Sequence, residues 1–244
     1  MRFGGITALD KVSFDVASGH IVGLIGPNGA GKTTLFNCLS RLYSFSEGDI
    51  RFEGRPLLDT PTHGIATLGI GRTFQNLALF RTMSVRQNIL LGGHCRTHSG
   101  FIANALRLPS VAREEAQLAA QAEGLIELLD LRAVAETRVM DLPFGTQKRV
   151  ELGRALASRP KLLLLDEPAG GLNHEEVGVL MELLRHVRDR LQLTLLLVEH
   201  HMNLVMRISD KVVALDFGRV IADGTPAQVQ ANADVIRAYL GVEA

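Results

Sequence analysis

Residues 26–33 read GPNGAGKT, which fits the pattern G-x-x-x-x-G-K-[ST]. Glycines at these places let successive backbone N–H groups converge on phosphate oxygens, and the start of a helix behind them adds partial positive charge. Lys32 can reach the β- and γ-phosphates of a nucleotide, and the Thr33 hydroxyl can ligate Mg²⁺. A second acidic element complements it. Residues 162–168 read LLLLDEP. Asp166, at the end of an apolar run, can hold Mg²⁺ directly or through water, and Glu167 beside it can orient or deprotonate an attacking water. Together these residues predict a nucleotide triphosphatase. A pair of strand-end acids favours hydrolysis over transfer to a second substrate.

Two further stretches ask for a role. LPFGTQKR at 142–149 sets a proline, an aromatic and a glycine ahead of a basic helical pattern, shortly upstream of the acidic element. VEHHM at 198–202 carries adjacent histidines. A zinc site is not expected there, because no third ligand has suitable spacing.

These groups need a scaffold. IVGLIG (21–26), KLLLLDE (161–167), TLLLVE (194–199) and KVVALD (211–216) are short continuous apolar runs, which predict strands buried on both faces of a parallel sheet. Val177, Leu180, Met181, Leu184, Val187 and Leu191 share one stripe at helical spacing. Alternating strands and helices make the expected fold class α/β with a parallel core. Val12, Phe14 and Val16 alternate with polar residues, as do Ile50 and Phe52, and predict half-exposed antiparallel strands near the N-terminus. Ser84 with Gln87 predicts a capping box, and 110–131 reads as helix. Residues of about 80–145 are therefore expected to form a helical lobe inserted into a single α/β domain spanning 1–244, with a loop near HCRTHSG.

The chain has 244 residues, of which 46% are hydrophobic, and its 26 basic and 26 acidic residues leave no net charge. This argues against a general polyanion binder. Its two cysteines, Cys38 and Cys95, give neither a disulfide framework nor zinc spacing. Its apolar runs fall far short of the ~20 residues a membrane helix needs.

In this order the motifs resemble the ATPases of ATP-binding-cassette (ABC) transporters, and the resemblance runs from about Phe3 to Gly241. RFGGITALDKVSF, GIGRTFQNLALFRTMSVRQNIL, LPFGTQKRVELGRALA and NADVIRAYLG are most similar to the larger ATPase of bacterial branched-chain amino acid importers. The resemblance implies a P-loop ATPase core with an N-terminal antiparallel β subdomain and a helical subdomain. It implies ATP and Mg²⁺ as ligands, with Gly26, Pro27, Asn28, Gly29, Ala30, Gly31, Lys32, Thr33 and Thr34 around the phosphates. Thr33, Gln75 and Asp166 would serve the metal, and Lys32, Gln75, Glu167 and His200 the hydrolysis. Phe3 would stack on adenine. Gly145 would approach the γ-phosphate of ATP held by a second, paralogous ATPase subunit. The partners implied are that subunit, two transmembrane permease subunits and, indirectly, a solute-binding protein, with no nucleic acid. The place implied is the cytoplasmic face of the inner membrane.

Two departures stand out. Pro143 and Thr146 replace a serine and a glutamine of the family's signature loop, which predicts a poorer set of donors in trans and unequal ATP sites. Only Met1 and Arg2 precede Phe3, so the strand that normally leads to this aromatic is expected to be stunted or to lie upstream. The same role for urea, an amide or another amino acid, a cassette acting on nucleic acid, and a nucleotide-binding regulatory cassette with weak hydrolysis are the alternatives.

Overall fold

The fold is given by a computed structural model, which describes residues 1–45, 47–73, 77–97 and 109–240. In chain order its strands are β1 (Arg2–Phe3), β2 (Ile6–Thr7), β3 (Ile21–Ile25), β4 (Arg51–Phe52), β5 (Arg55–Pro56), β6 (Ile70–Arg72), β7 (Leu162–Asp166), β8 (Thr194–Val198), β9 (Lys211–Asp216) and β10 (Arg219–Gly224). Its helices are α1 (Lys32–Leu39), α2 (Ile65–Leu68), α3 (Val85–Gly92), α4 (Pro109–Leu128), α5 (Phe144–Leu156), α6 (His174–Leu191), α7 (Met202–Ile208), α8 (Pro226–Gln230) and α9 (Ala233–Leu240).

The predicted apolar runs all become strands of one sheet, in the order β10-β9-β3-β8-β7-β6. β9, β3, β8, β7 and β6 are parallel, and β10 closes one edge antiparallel to β9. The continuous apolar pattern has a direct cause. Ile21, Leu163, Leu165, Leu195 and Leu197 point to the face covered by α5, α6 and α7, while Val22, Leu24, Leu164 and Leu196 point to the face covered by α1. Each side chain so buried contributes roughly 1.5–3 kcal/mol. The parallel order also brings the C-terminal ends of β3, β7 and β8 to one edge, where the phosphate loop, the acid pair and the histidines follow them.

The stripe on α6 packs as its spacing predicts at Leu180, Met181, Leu184 and Val187, which are buried. Leu191 departs from it: it is exposed, in the last turn of the helix. The capping box at Ser84 and Gln87 is present in full at the start of α3. The helix expected over 110–131 runs from Pro109 to Leu128, and α3 and α4 lie between β6 and β7.

One expected strand is absent. Residues 12–16 join no ladder among the described residues, yet Val12, Phe14 and Val16 are half-buried against the α1 side of the core while Ser13 and Asp15 are exposed. The alternation reports an extended segment with two unlike faces, and that pattern says nothing about a hydrogen-bonded partner. The antiparallel pairs near the N-terminus are the two-residue ladders β1–β2 and β4–β5. No helix among the described residues is long and apolar enough to cross a membrane.

Candidate nucleotide site

The phosphate loop joins β3 to α1. Gly26 and Gly31 have φ of 151° and 102°, a region that side chains with a Cβ rarely adopt. A Cβ would also meet Leu215 O at 2.2 Å from Gly26, and Ala8 O at 2.6 Å from Gly31. The loop is thus sealed against β9 and the N-terminal segment, and α1 starts at its end with no side-chain cap. The first-turn N–H groups of such a helix have no partner within it, which suits an anion. Pro27 is half-buried, Asn28 and Gly29 are exposed, and Ala30 is buried. Thr33 is exposed and Thr34 half-buried at the helix start.

Lys32 is buried. Its Nζ donates to Gly26 O at 2.6 Å and to Pro27 O at 2.9 Å, so the ammonium lies under the loop it would serve. Burial pushes its pKa down, and the charges of Glu167 and Asp166 push it back up. Both acids therefore lie within electrostatic reach of this lysine.

Asp166 ends β7 and is buried. Its Oδ2 accepts from Arg72 Nη2 at 2.9 Å, and its N–H points to Thr73 Oγ1 at 3.4 Å. Glu167 follows with φ of 49°, in the left-handed region, where the chain leaves β7. Glu167 Oε1 lies 2.6 Å from His200 Nε2. In the tautomer that carries its proton on Nε2, the imidazole donates this bond to the carboxylate. The structure therefore brings Lys32, Asp166, Glu167 and His200 to one edge of the sheet.

It treats the other expected residues differently. Phe3 pairs edge-to-face with Tyr43, ring centroids 5.3 Å apart, on the β1–β2 hairpin. Gly145 lies in the first turn of α5, where a Cβ would sit 2.9 Å from Glu176 Oε1 of the same chain. Gln75 falls outside the described residues. His201 is the exposed residue at the start of α7, and its Nδ1 also faces Glu199 Oε2 at 3.2 Å.

Sequence reasoning missed three residues that shape this edge. Arg72 holds Asp166. Glu199, 1% exposed, accepts from Ala169 N at 2.6 Å and His200 N at 3.1 Å, so it ties the end of β8 to the segment after β7. Tyr239 on α9 accepts from Gly26 N at 2.7 Å through its hydroxyl. The only prior signal for Glu199 was its place next to His200, and for Arg72 its place in RTFQ.

A parallel sheet with a phosphate loop after β3 and an acid pair after β7 defines a P-loop nucleotide triphosphatase. Within that class, the chain belongs to the ABC transporter family, which it matches over residues 9–170. It is an ABC-type ATPase. Residues 219–244 also match a family described as branched-chain amino acid ATP-binding cassette transporter.

Two relatives are the high-affinity branched-chain amino acid transport ATP-binding proteins BraF of Pseudomonas aeruginosa and LivG of Escherichia coli. Each is 42% identical over 241 residues, covering 99% of this chain and 94% of the relative. Among solved structures, a nucleotide-free ATP-binding cassette from an ABC transporter is similar with a TM-score of 0.83 and 29% identity, over 99% of this chain and 96% of that one. The ADP conformation of an ABC transporter cassette gives a TM-score of 0.85 and 28% identity, with the same coverage of both chains.

Proposed function

We propose that this chain is the ATP-hydrolysing subunit of an importer for branched-chain amino acids, a single cassette domain whose helical lobe spans about 80–145. The contact that carries the hydrolytic part is the 2.6 Å approach of Glu167 to His200, at the edge that also holds Lys32 and Asp166. The substrate class rests on the likeness to BraF and LivG and on the match of residues 219–244.

Lys32 neutralises the β- and γ-phosphates, and the backbone donors of residues 29–34 surround their oxygens. The donor set suits magnesium. Thr33 offers an exposed hydroxyl and Asp166 a carboxylate, both hard oxygens, and Mg²⁺ is usually held by one or two carboxylates together with the phosphates. Bound there, the ion would offset the charge developing on the phosphoryl oxygens. Glu167 accepts a proton from the attacking water, and His200 holds the Glu167 carboxylate in place. Gln75 completes the metal set. Phe3 and its neighbour Tyr43 offer aromatic surface to adenine.

The chain acts as a peripheral protein on the cytoplasmic face of the membrane. It pairs with a second ATPase subunit through Gly145 and drives two permease subunits fed by a solute-binding protein. The test is Glu167→Gln in complexes reconstituted with permease partners in vesicles. ATP binding should persist, and hydrolysis and leucine uptake should fall by roughly 10²–10⁴-fold, the range for losing a general base. Hydrolysis at the parent rate would refute the assignment of Glu167. Uptake of urea in place of leucine by the parent complex would refute the substrate class.

A further inference from the structure

Arg72 is the last residue of β6, and its side chain is 10% exposed while that of its partner Asp166 is 8% exposed. Nη2 donates to Asp166 Oδ2 at 2.9 Å. Nη1 donates to Asn37 Oδ1 at 2.8 Å and to Ser40 Oγ at 3.0 Å, at the C-terminal end of α1. The guanidinium carbon stands 5.7 Å from the centroid of the Phe36 ring. The next residue adds to the clamp. Thr73 N donates to Leu164 O at 2.9 Å, and Thr73 Oγ1 faces the N–H of Asp166 at 3.4 Å.

Burying an ion pair is costly unless further hydrogen bonds satisfy it, so the pair alone is weak evidence for a gain in stability. Here Asn37, Ser40 and Phe36 anchor the arginine from α1, the helix that follows the phosphate loop. The fork is therefore tied to the same helix that begins with Lys32 and Thr33. Its charge opposes a divalent cation, so a gain in metal affinity is not what it provides.

We infer that Arg72 is a positioning residue for the ATPase reaction. By occupying Oδ2 of Asp166 and fixing the carboxylate plane against α1, it leaves Oδ1 as the oxygen offered to magnesium or its water. This rests on the proposed role of Asp166 as the magnesium acid. Without Arg72 the carboxylate is more negative and free to turn. The metal should then bind as well or better, but in the wrong place for turnover.

The experiment uses the full chain with Mn²⁺ as the spectroscopic probe. It measures half-saturating Mn²⁺ with a non-hydrolysable ATP analogue, ATP affinity without metal, and the rate of hydrolysis. Arg72→Ala should lower turnover about ten- to hundredfold, the scale expected for a misplacement near 1 Å. Half-saturating Mn²⁺ should stay equal or fall, and metal-free ATP affinity should stay at the parent value, because the guanidinium is placed on Asp166 and α1 and not on the nucleotide. Arg72→Lys keeps the charge and loses the fork, so it should return half-saturating Mn²⁺ to the parent value without returning turnover. Asn37→Ala spares Arg72 and removes one anchor. It should lower turnover several-fold in the same direction, and it serves if Arg72→Ala does not fold.

Parent-like turnover in Arg72→Ala, or in Asn37→Ala, overturns the inference. So does a joint loss of metal-free ATP affinity, Mn²⁺ affinity and melting temperature, which is the pattern of a residue that only supports the fold. Asp166→Asn is the control for the underlying reading. If it leaves half-saturating Mn²⁺ unchanged, the magnesium assignment fails, whatever the arginine variants do.

Discussion

Glu199 offers a perturbation whose size follows from its contacts. Its Oε1 accepts from Ala169 N at 2.6 Å. Its Oε2 accepts from His200 N at 3.1 Å, lies 3.4 Å from His201 N, and faces His201 Nδ1 at 3.2 Å. With its side chain 1% exposed, no water can replace either oxygen freely. Glu199→Gln keeps the shape and removes the charge. If the amide oxygen stays on Ala169 N, the amide nitrogen is turned against the N–H groups of His200 and His201, and donor meets donor. One charge-assisted hydrogen bond to the backbone is then lost, worth about 1.5–3 kcal/mol.

The unfolding free energy in urea should fall by about that amount. Hydrolysis should fall as well, because the His200 backbone that Glu199 fixes carries the ring holding Glu167. His201→Ala is the contrast. The imidazole is 49% exposed, and exposed pairs of this kind contribute at most about 1 kcal/mol. Urea unfolding and single-turnover hydrolysis measured on both variants decide the matter. If Glu199→Gln unfolds within about 0.5 kcal/mol of the parent, the spread of ordinary surface changes, and hydrolyses ATP at the same rate, the carboxylate does not tie β8 to the segment after β7.

Lys32→Ala should reduce MgATP binding to near or below detection by calorimetry, since it removes the main positive charge under the phosphate loop. Unchanged affinity would end the phosphate-loop assignment. Tyr239→Phe keeps the ring and deletes the hydroxyl that receives Gly26 N at 2.7 Å. Amide exchange at Gly26 should quicken about tenfold or more, the equivalent of about 1.4 kcal/mol of lost protection. Exchange as slow as in the parent would show that α9 does not secure the loop.

The parallel core could be read in advance because strands buried on both faces leave an unbroken apolar record, as at 162–165 and 195–198. β6 could not. It is three residues long and contains Gly71 and Arg72, and a charged residue at a strand end reads as solvated until the fold shows α1 above it. Glu199 was missed for the same reason: its burial depends on the segment after β7, far away in sequence. The phosphate loop and the acid pair were legible because their chemistry is local, a short spacing on one strand–loop–helix turn. Positions such as Phe3, Gly145 and His200 drew their roles from resemblance. Of these, the geometry gives His200 a partner in the acid pair, while Phe3 meets Tyr43.

The signature loop shows how local geometry changes the weight of a substitution. Read from residue types, Pro143 removes both a hydroxyl and an N–H from the set offered to a second subunit's nucleotide. In the structure Pro143 is the N-cap of α5, with φ of −57°, and Gln147 N bonds back to Pro143 O at 3.0 Å. The N–H groups of Phe144, Gly145 and Thr146 are then the first-turn donors without a partner inside the helix, and proline in the cap position takes none of them away. What is lost is the side-chain hydroxyl. Thr146 partly turns inward, its Oγ1 facing Arg149 Nη2 at 3.4 Å. The Phe144 ring is held between Lys148 Nζ, 5.5 Å from its centroid, and Gly171, where a Cβ would lie 2.9 Å away. This packing links the start of α5 to the loop ahead of α6 and steadies the three donors. The loop therefore keeps its three backbone donors, and what the substitutions at 143 and 146 cost it is one hydroxyl and one side-chain amide, less than the loop's sequence alone implies.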